Sequence, residues 1–203
     1  MPSAERPIVA AVVLAAGSST RMGRNKLLLD LGGEAVVRRS VRAAVEAGVD
    51  RVVVVLGHEA EGVGAALAGL SHVAVMNPDH AQGVGTSLHL GVAQAATEAR
   101  AIVVVLADMP FVTADMIRTV VERYRATGAP LVVSRYGEVE APPVLYDRAL
   151  FAELLSVPGE RCAKQVRSRH RHEAEVVAWP EEALRDIDVA LDYERARARL
   201  GGG

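Results

Sequence analysis

The sequence predicts an α/β fold of three layers, in which a mostly parallel central sheet lies between helices on both of its faces. Short Val-rich segments of strand length alternate along the chain with segments of helical periodicity, and this alternation is typical of parallel sheets. The strand segments are continuously apolar, which indicates burial on both faces. In the first half of the chain, the predicted strands are residues 8–15, 51–56, 73–76 and 101–106.

Amphipathic segments between these strands predict the helices. Apolar residues recur at helical spacing over residues 36–45, and Gly48 is expected to end that helix. Further helices are predicted over residues 59–70 and 87–99, and Thr113 is a suitable N-cap for the next one. The inner face of that next helix carries Met116, Ile117, Val120, Val121 and Tyr124.

The regular alternation changes after Arg125, where the segments become shorter. Residues 135–143 are polar and rich in Gly and Pro, which predicts a loop or a hairpin. The predicted strands of this half are residues 131–134, 144–146 and 176–179, and the predicted helices are residues 148–155 and 191–200.

Composition limits the classes of function. The chain has 203 residues, is 50% hydrophobic and has a formal net charge of -2, so it can bury a sizeable core but lacks the basic surface of a general nucleic-acid binder. Its one cysteine, Cys162, excludes a disulfide framework within the chain and is predicted to be a small packing residue. The longest apolar runs are too short to cross a bilayer, and residues 1–6 do not resemble a signal peptide, so we expect a cytoplasmic protein.

The most informative motif is the loop that follows the first predicted strand. Residues 14–26 are rich in small side chains and include the cations Arg21 and Lys26. Such a loop lets backbone N–H groups approach an anion closely, and the cations add charge where phosphate oxygens would lie. Ser19 replaces the second glycine of a dinucleotide-binding turn, and no lysine directly follows Gly23 as a Walker loop requires. We therefore predict a nucleoside triphosphate site of another type.

The loops after the parallel strands are expected to meet at one edge of the sheet, where ligands bind, because the crossovers between such strands are right-handed. Asp108 follows a predicted strand at this edge, and a carboxylate beside phosphates is a natural Mg²⁺ ligand. The alternative for Asp108 is a turn residue before Pro110. The loops expected to be neighbours are residues 16–26, 57–58, 77–85 and 107–110.

Polar groups elsewhere extend the candidate site. Residues 77–87 contain glycines just before a predicted helix, so they offer backbone donors for a base, ribose or phosphate. Asp186 and Asp188 lie on the same side of an extended segment, and either could complete the metal site or cap a following helix. The basic run at residues 167–172 is predicted to be a solvated helix end.

Taken together, these residues resemble the signature of the molybdenum-cofactor nucleotidyltransferases, the MobA/MocA-like family. The resemblance implies a Rossmann-like nucleotidyltransferase fold in a single domain over residues 1–203. Residues 1–125 would be its nucleotide-binding half and residues 126–203 its acceptor-binding half. The motifs that carry the resemblance are residues 14–17, 21–23 and 26–28, Asn77-Pro78 with Gly83 and Ser87, Asp108-Met109-Pro110-Phe111, Pro143-Val144-Leu145 and Asp186-Ile187-Asp188.

Within that family the chain is most similar to the molybdenum cofactor cytidylyltransferases, which join CMP from CTP to molybdopterin and release pyrophosphate. The resemblance implies Mg²⁺ held by Asp108 and Asp188. It also implies catalytic roles for Arg21, Lys26 and Asp108. Ala16 stands where guanylyltransferase relatives usually have glycine, and its methyl group would narrow the base pocket towards a pyrimidine. The implied nucleotide-binding residues are Leu14, Ala15, Ala16, Gly17, Ser18, Ser19, Arg21, Met22, Gly23, Lys26, Gly57, Asn77, Gly83, Ser87 and Asp108.

Alternatives to this function stay open at the level of sequence. The chain departs from the usual family pattern at residues 141–143 and 159–163, so another phosphorylated acceptor, such as a sugar phosphate, is one alternative. GTP in place of CTP is a second, and a non-catalytic nucleotide-binding module is a third. Docking to a molybdenum hydroxylase or its chaperone is a further interaction to consider, whereas neither nucleic acid nor a membrane is expected as a partner.

Overall fold

A computed structural model describes residues 6–18, 25–159, 161–184 and 193. These residues form a seven-stranded sheet in the order β3-β2-β1-β4-β6-β5-β7. The strands are β1 (Val9–Ala15), β2 (Arg51–Leu56), β3 (Val73–Met76), β4 (Ala101–Leu106), β5 (Leu131–Tyr136), β6 (Val139–Asp147) and β7 (Ala174–Trp179). The α-helices are α1 (Val36–Glu46), α2 (Ala60–Ala66), α3 (Val84–Ala95), α4 (Ala114–Thr127), α5 (Phe151–Ser156) and α6 (Cys162–Arg169).

The sheet is mostly parallel, as the sequence predicts. Strand β1 lies between β2 and β4 and runs parallel to both, and β3 adds to β2 in the same direction. Strand β6 runs antiparallel to its neighbours β4 and β5, whereas β5 and β7 are parallel. Within the described sheet, β6 is therefore the one reversed strand.

Helices cover both faces of the sheet, which confirms the three-layer α/β/α fold. Helices α1, α2 and α4 pack on one face, and α3, α5 and α6 pack on the other. Consecutive side chains of a strand point to opposite faces, so Val9, Ala11 and Val13 join the first core while Ala10, Val12 and Leu14 join the second. This two-sided burial explains the continuous apolar runs. Among the described residues, no helix is long and apolar enough to span a membrane.

Strand β3 differs from the prediction of burial on both faces. Its residues alternate between half-buried and exposed, and Met76 is 57% exposed. The strand lies at the edge of the sheet, and Ala74 and Met76 on one of its faces are exposed, so the described helices do not cover that face there. The prediction of a buried strand was correct in position and wrong in burial.

The predicted helices that fall within the described residues are present, and local chemistry sets their ends. Helix α1 ends before Gly48, whose φ is +71°. The Thr113 hydroxyl accepts a hydrogen bond from the Met116 N–H at 3.2 Å and caps α4 as predicted. Helix α2 is shorter than the predicted segment, and α3 begins earlier than predicted, directly after Gly83 with φ +110°. The predicted helix over residues 191–200 lies outside the described residues, apart from residue 193.

The segment predicted as a loop or hairpin, residues 135–143, is a hairpin. Strands β5 and β6 extend into it and meet at a tight turn at Gly137, whose φ is +57°. The far end of β6 is fixed by Asp147, which is 5% exposed. Its Oδ2 accepts hydrogen bonds from the Tyr124 hydroxyl at 2.7 Å and from Arg100 Nε at 3.1 Å. Burial raises the pKa of Tyr124 to about 12, so this hydroxyl stays protonated and donates.

Close packing of α3 on β1 depends on Gly91. A β-carbon at Gly91 would lie 2.3 Å from Val12 Cγ1 and 3.2 Å from Val55 Cγ2. We expect Gly91→Ala to lower the free energy of unfolding by about 1–3 kcal/mol, because overpacking outweighs the helix propensity of alanine. Urea denaturation measures this change.

A matched control is Gly64→Ala in α2, where the new β-carbon would meet Leu56 Cδ1 at 3.8 Å, an ordinary contact. This variant is expected to raise the free energy of unfolding by up to about 1 kcal/mol. Equal effects of the two substitutions would contradict the packing argument.

Candidate functional site

The loops that follow β1, β2, β3 and β4 meet at the carboxyl edge of the sheet, as predicted. The backbone N–H of His58 donates to the carbonyl of Ala16 at 3.3 Å. The N–H of Asn77 donates to the carbonyl of Leu56 at 2.8 Å, and the N–H of Ala107 donates to the carbonyl of Leu14 at 3.1 Å. These hydrogen bonds connect neighbouring loops and strand ends, so the candidate residues of these loops lie in one site.

An ion pair joins two of the predicted catalytic residues. Lys26 Nζ lies 2.7 Å from Asp108 Oδ2, with 12% and 24% of the two side chains exposed. Lys26 begins a 3-10 turn (Lys26–Leu28) that anchors Leu27 in the core. Asp108 lies in a turn closed by the N–H of Met109, which donates to the carbonyl of Leu106 at 3.2 Å, and Met109 is 2% exposed. Because both backbones are anchored, and because solvent screens a partly buried pair less than an exposed one, the cation and the carboxylate are held together at the edge.

Gly57 allows the loops after β1 and β2 to approach each other. A β-carbon at Gly57 would lie 2.7 Å from the methyl of Ala16 and 2.6 Å from His80 Cβ. The His80 ring in turn lies beside the ring of His58, with centroids 6.1 Å apart. The contact of His80 with Gly57 joins residues that are distant in sequence, so no local signal predicts it.

The methyl group of Ala16 packs against Gly57, and Ala16 is 5% exposed. Leu14 and Ala15 are also buried, at 9% and 1% exposure, as the end of β1. These three residues therefore reach a ligand chiefly through their backbone. Gly17, in contrast, is exposed, and nothing lies within 4 Å of a β-carbon built on it. Ser18 is exposed beside it.

Asn77 organises the loop that leads into α3. Its Nδ2 donates to Thr86 Oγ1 at 2.9 Å and to Ser87 Oγ at 2.8 Å, and its Oδ1 accepts from the N–H of Asp79 at 3.0 Å. Asn77 and Ser87 are 1% and 3% exposed. The structure thus brings Asn77, Gly83 and Ser87 together as the sequence predicts, with the two side chains bonded to one another.

Other predicted site residues lie outside the described part of the chain. These are Ser19, Arg21, Met22, Gly23, Asp186 and Asp188. Among the residues that the structure does describe, no three His, Cys, Asp or Glu side chains form a cluster suited to a metal ion. Of the two carboxylates predicted as metal ligands, Asp108 is described and Asp188 is not.

The sequence matches the MobA-like NTP transferase domain over residues 11–175. The chain belongs to this family. It is a nucleotidyltransferase, and the prediction of an enzyme is confirmed. The matched region contains the loops at the carboxyl edge and the Lys26–Asp108 pair.

Named relatives of this MobA-like chain differ in length. The purine catabolism protein PucB of Bacillus subtilis is 30% identical over 207 residues, which cover 96% of this chain and 98% of that protein. The bifunctional protein GlmU of Sphingopyxis alaskensis is 32% identical over 193 residues. That alignment covers 93% of this chain and 39% of GlmU, so the chain spans well under half the length of this relative.

Solved structures support the same fold for this MobA-like chain. The crystal structure of Rv0371c from Mycobacterium tuberculosis H37Rv superimposes with a TM-score of 0.85 and 28% identity, covering 95% of this chain and 99% of that one. Rv0371c is also known as a complex with manganese, which superimposes with a TM-score of 0.78 and 28% identity and covers 94% and 98% of the two chains.

Substitution of Gly57 tests the close approach of the loops. We expect Gly57→Ala to weaken nucleotide binding by about tenfold or more, because the new methyl group pushes the Ala16 loop and His80 apart and displaces positioned groups. The dissociation constant for CTP, measured by titration calorimetry, checks this. Gly64→Ala, which adds the same methyl group at an ordinary contact distance of 3.8 Å from its nearest neighbour, is the matched control. An unchanged dissociation constant for Gly57→Ala would contradict the proposed sensitivity.

Proposed function

We propose that the protein transfers CMP from CTP to molybdopterin with Mg²⁺ as cofactor, releasing pyrophosphate. The main observation that supports nucleotidyl transfer is the Lys26–Asp108 ion pair, which lies at the edge where the loops after β1, β2, β3 and β4 meet. A cation for phosphate oxygens and a carboxylate for a metal are both required for this chemistry. The choice of CTP and molybdopterin rests on the sequence resemblance described above.

The chemistry of Asp108 fits a divalent metal. Mg²⁺ in such sites is bound by one or two carboxylates and otherwise by substrate phosphates and water. Asp108 bonds Lys26 through Oδ2, and a carboxylate bonded through one oxygen can present the other to a cation. Asp188 is proposed as the second carboxylate. When bound, the metal would neutralise charge on the phosphates as a Lewis acid.

The proposed reaction is an in-line displacement at the α-phosphorus of CTP. A phosphate oxygen of the acceptor forms the new P–O bond, and the bond between the α-phosphorus and the bridging oxygen to the β-phosphorus breaks, so that pyrophosphate leaves. The nucleophile is already anionic, so no strong general base is required. The protein contributes positioning and charge neutralisation, which we assign to Arg21 and Lys26.

The residues around Asn77 lie where they could help to position the base and the ribose of the nucleotide. Because the Asn77 and Ser87 side chains bond each other, we propose that they act by fixing the loop, with Gly83 as the close-approach point at the start of α3. Ala16 acts on the base in the same indirect way, because its methyl group packs against Gly57 and sets the spacing of the two loops.

The acceptor is the part of this proposal that depends most on resemblance. Residues 141–143 depart from the family pattern, which keeps a sugar phosphate as the second candidate acceptor. Measuring pyrophosphate release with molybdopterin and with a set of sugar phosphates separates the two. We further propose docking to a molybdenum hydroxylase or its chaperone as the route by which the product leaves.

Removal of either member of the ion pair tests the mechanism. We expect Asp108→Ala and Lys26→Ala to lower the rate of pyrophosphate release by about a hundredfold or more, because each removes charge that stabilises the transition state. Arg118→Ala is the control, since it breaks the exposed Arg118–Asp115 ion pair of α4, and its rate should equal that of the wild type. Near-normal turnover of Asp108→Ala or Lys26→Ala with an intact fold would reject the mechanism.

The preference of the enzyme for CTP over GTP is tested separately. Turnover with CTP should exceed turnover with GTP when the two are measured side by side at equal concentration. Ala16→Gly is expected to narrow this difference, because it removes the methyl group that packs between the two loops. A clear preference of the wild type for GTP would overturn the cytidylyl assignment and leave nucleotidyl transfer standing.

A further inference from the structure

Helix α1 carries a buried serine on the face that packs against the sheet. Ser40 is 1% exposed, and Val36 and Ala44, one helical turn before and after it, are fully buried. Its hydroxyl donates to the carbonyl of Ala107 at 2.9 Å, whereas the carbonyl of Val36 within the helix lies farther away, at 3.4 Å. The buried hydroxyl is therefore satisfied chiefly by the residue that precedes Asp108.

The neighbouring residue of α1 holds the other end of the same turn. Arg39 Nε donates to the carbonyl of Pro110 at 3.1 Å. The guanidinium also pairs with Glu34 at 3.5 Å, and 26% of the Arg39 side chain is exposed. Asp108 thus lies between two backbone carbonyls that accept hydrogen bonds from consecutive side chains of α1.

The first turn of α1 is also bonded to the segment that follows Lys26. The N–H of Val36, the first residue of the helix, donates to the carbonyl of Leu29 at 3.0 Å. The N–H of Leu29 in turn donates to the carbonyl of Lys26 at 3.3 Å. One helix is therefore hydrogen-bonded to the backbone near each member of the Lys26–Asp108 ion pair.

We propose that Ser40 and Arg39 are positioning residues that act through Asp108, by holding its turn so that the carboxylate keeps the orientation needed for nucleotidyl transfer. The inference rests on the function proposed above, in which Asp108 binds the metal. Partners that orient such a carboxylate matter because their loss typically lowers metal affinity or activity about 10–100-fold. Serine also has a lower helix propensity than alanine, which fits a hydroxyl that acts outside the helix.

Kinetic constants of the variants test this role. Ser40→Ala removes the hydroxyl and favours the helix, so α1 should stay folded. We expect its kcat for pyrophosphate release to fall about ten- to a hundredfold while the KM for CTP stays within about twofold, because the turn of Asp108 is loosened and the nucleotide loops are not. Arg39→Ala should act in the same direction.

Thr119→Ala is the matched control for the loss of a helix hydroxyl. The Thr119 hydroxyl donates to the carbonyl of Asp115 within α4 at 2.8 Å, so its removal breaks a bond inside one helix. This variant should keep both kinetic constants of the wild type. A loss of kcat equal to that of Ser40→Ala would contradict the specific role of Ser40.

Amide hydrogen exchange gives a second readout, which requires no acceptor. The N–H of Met109 donates to the carbonyl of Leu106, and the N–H of Val112 donates to the carbonyl of Met109. In Ser40→Ala these two amides should exchange about tenfold faster or more, because the turn opens more easily. Val166→Ala, which leaves a cavity at a fully buried position of α6, should lower the melting temperature without this local change or a loss of kcat.

A double-variant cycle then links Ser40 to Asp108. In the Asp108→Asn background, Ser40→Ala should change the rate by less than about twofold, because the group through which Ser40 acts has been altered already. The same fold-change in both backgrounds, or unchanged kcat and exchange in Ser40→Ala, would overturn the positioning role and leave nucleotidyl transfer intact. Near-normal turnover of Asp108→Asn, in contrast, would reject the proposed mechanism and with it the positioning of Asp108 for that reaction.

Discussion

The position of β1 at the centre of the parallel strands is the constraint on which the site depends. Its seven residues are all buried, and it pairs with β2 on one side and β4 on the other. Since all three strands run the same way, the loops after them must emerge at one edge. The loop with Ala16, the loop with Gly57 and the turn with Asp108 are therefore neighbours by topology, before any side chain contributes.

The Lys26–Asp108 ion pair places two charged side chains at this edge. Each residue lies in a turn and is followed by a buried residue, so the pair is positioned by the core and not by mutual attraction alone. The pair places a cation and a carboxylate side by side at this edge. In the proposed reaction, Lys26 would meet phosphate oxygens and Asp108 would meet the metal, so each incoming charge would find a group of opposite sign in place.

The sequence predicts much of this arrangement, because its signals are local. Continuous apolar runs mark β1, β2 and β4, and Thr113 marks the start of α4, since each pattern arises within a few residues. The open face of β3 and the reversed direction of β6 were not predictable in this way, because they depend on which strand becomes a neighbour. The contact between Gly57 and His80 likewise depends on packing between segments that are distant in sequence.

The reversal of β6 brings the second half of the chain to the nucleotide edge. Val144 pairs with Val104 in antiparallel register, and continuing that register carries Pro143 and Pro142 alongside the end of β4, towards Asp108. The carbonyl of Pro142 accepts a hydrogen bond from the buried Tyr136 at 2.8 Å, which anchors the hairpin there. Residues 141–143 therefore lie at the same end of the sheet as Asp108, so the proposed acceptor-binding half reaches the edge that carries the proposed nucleotide site.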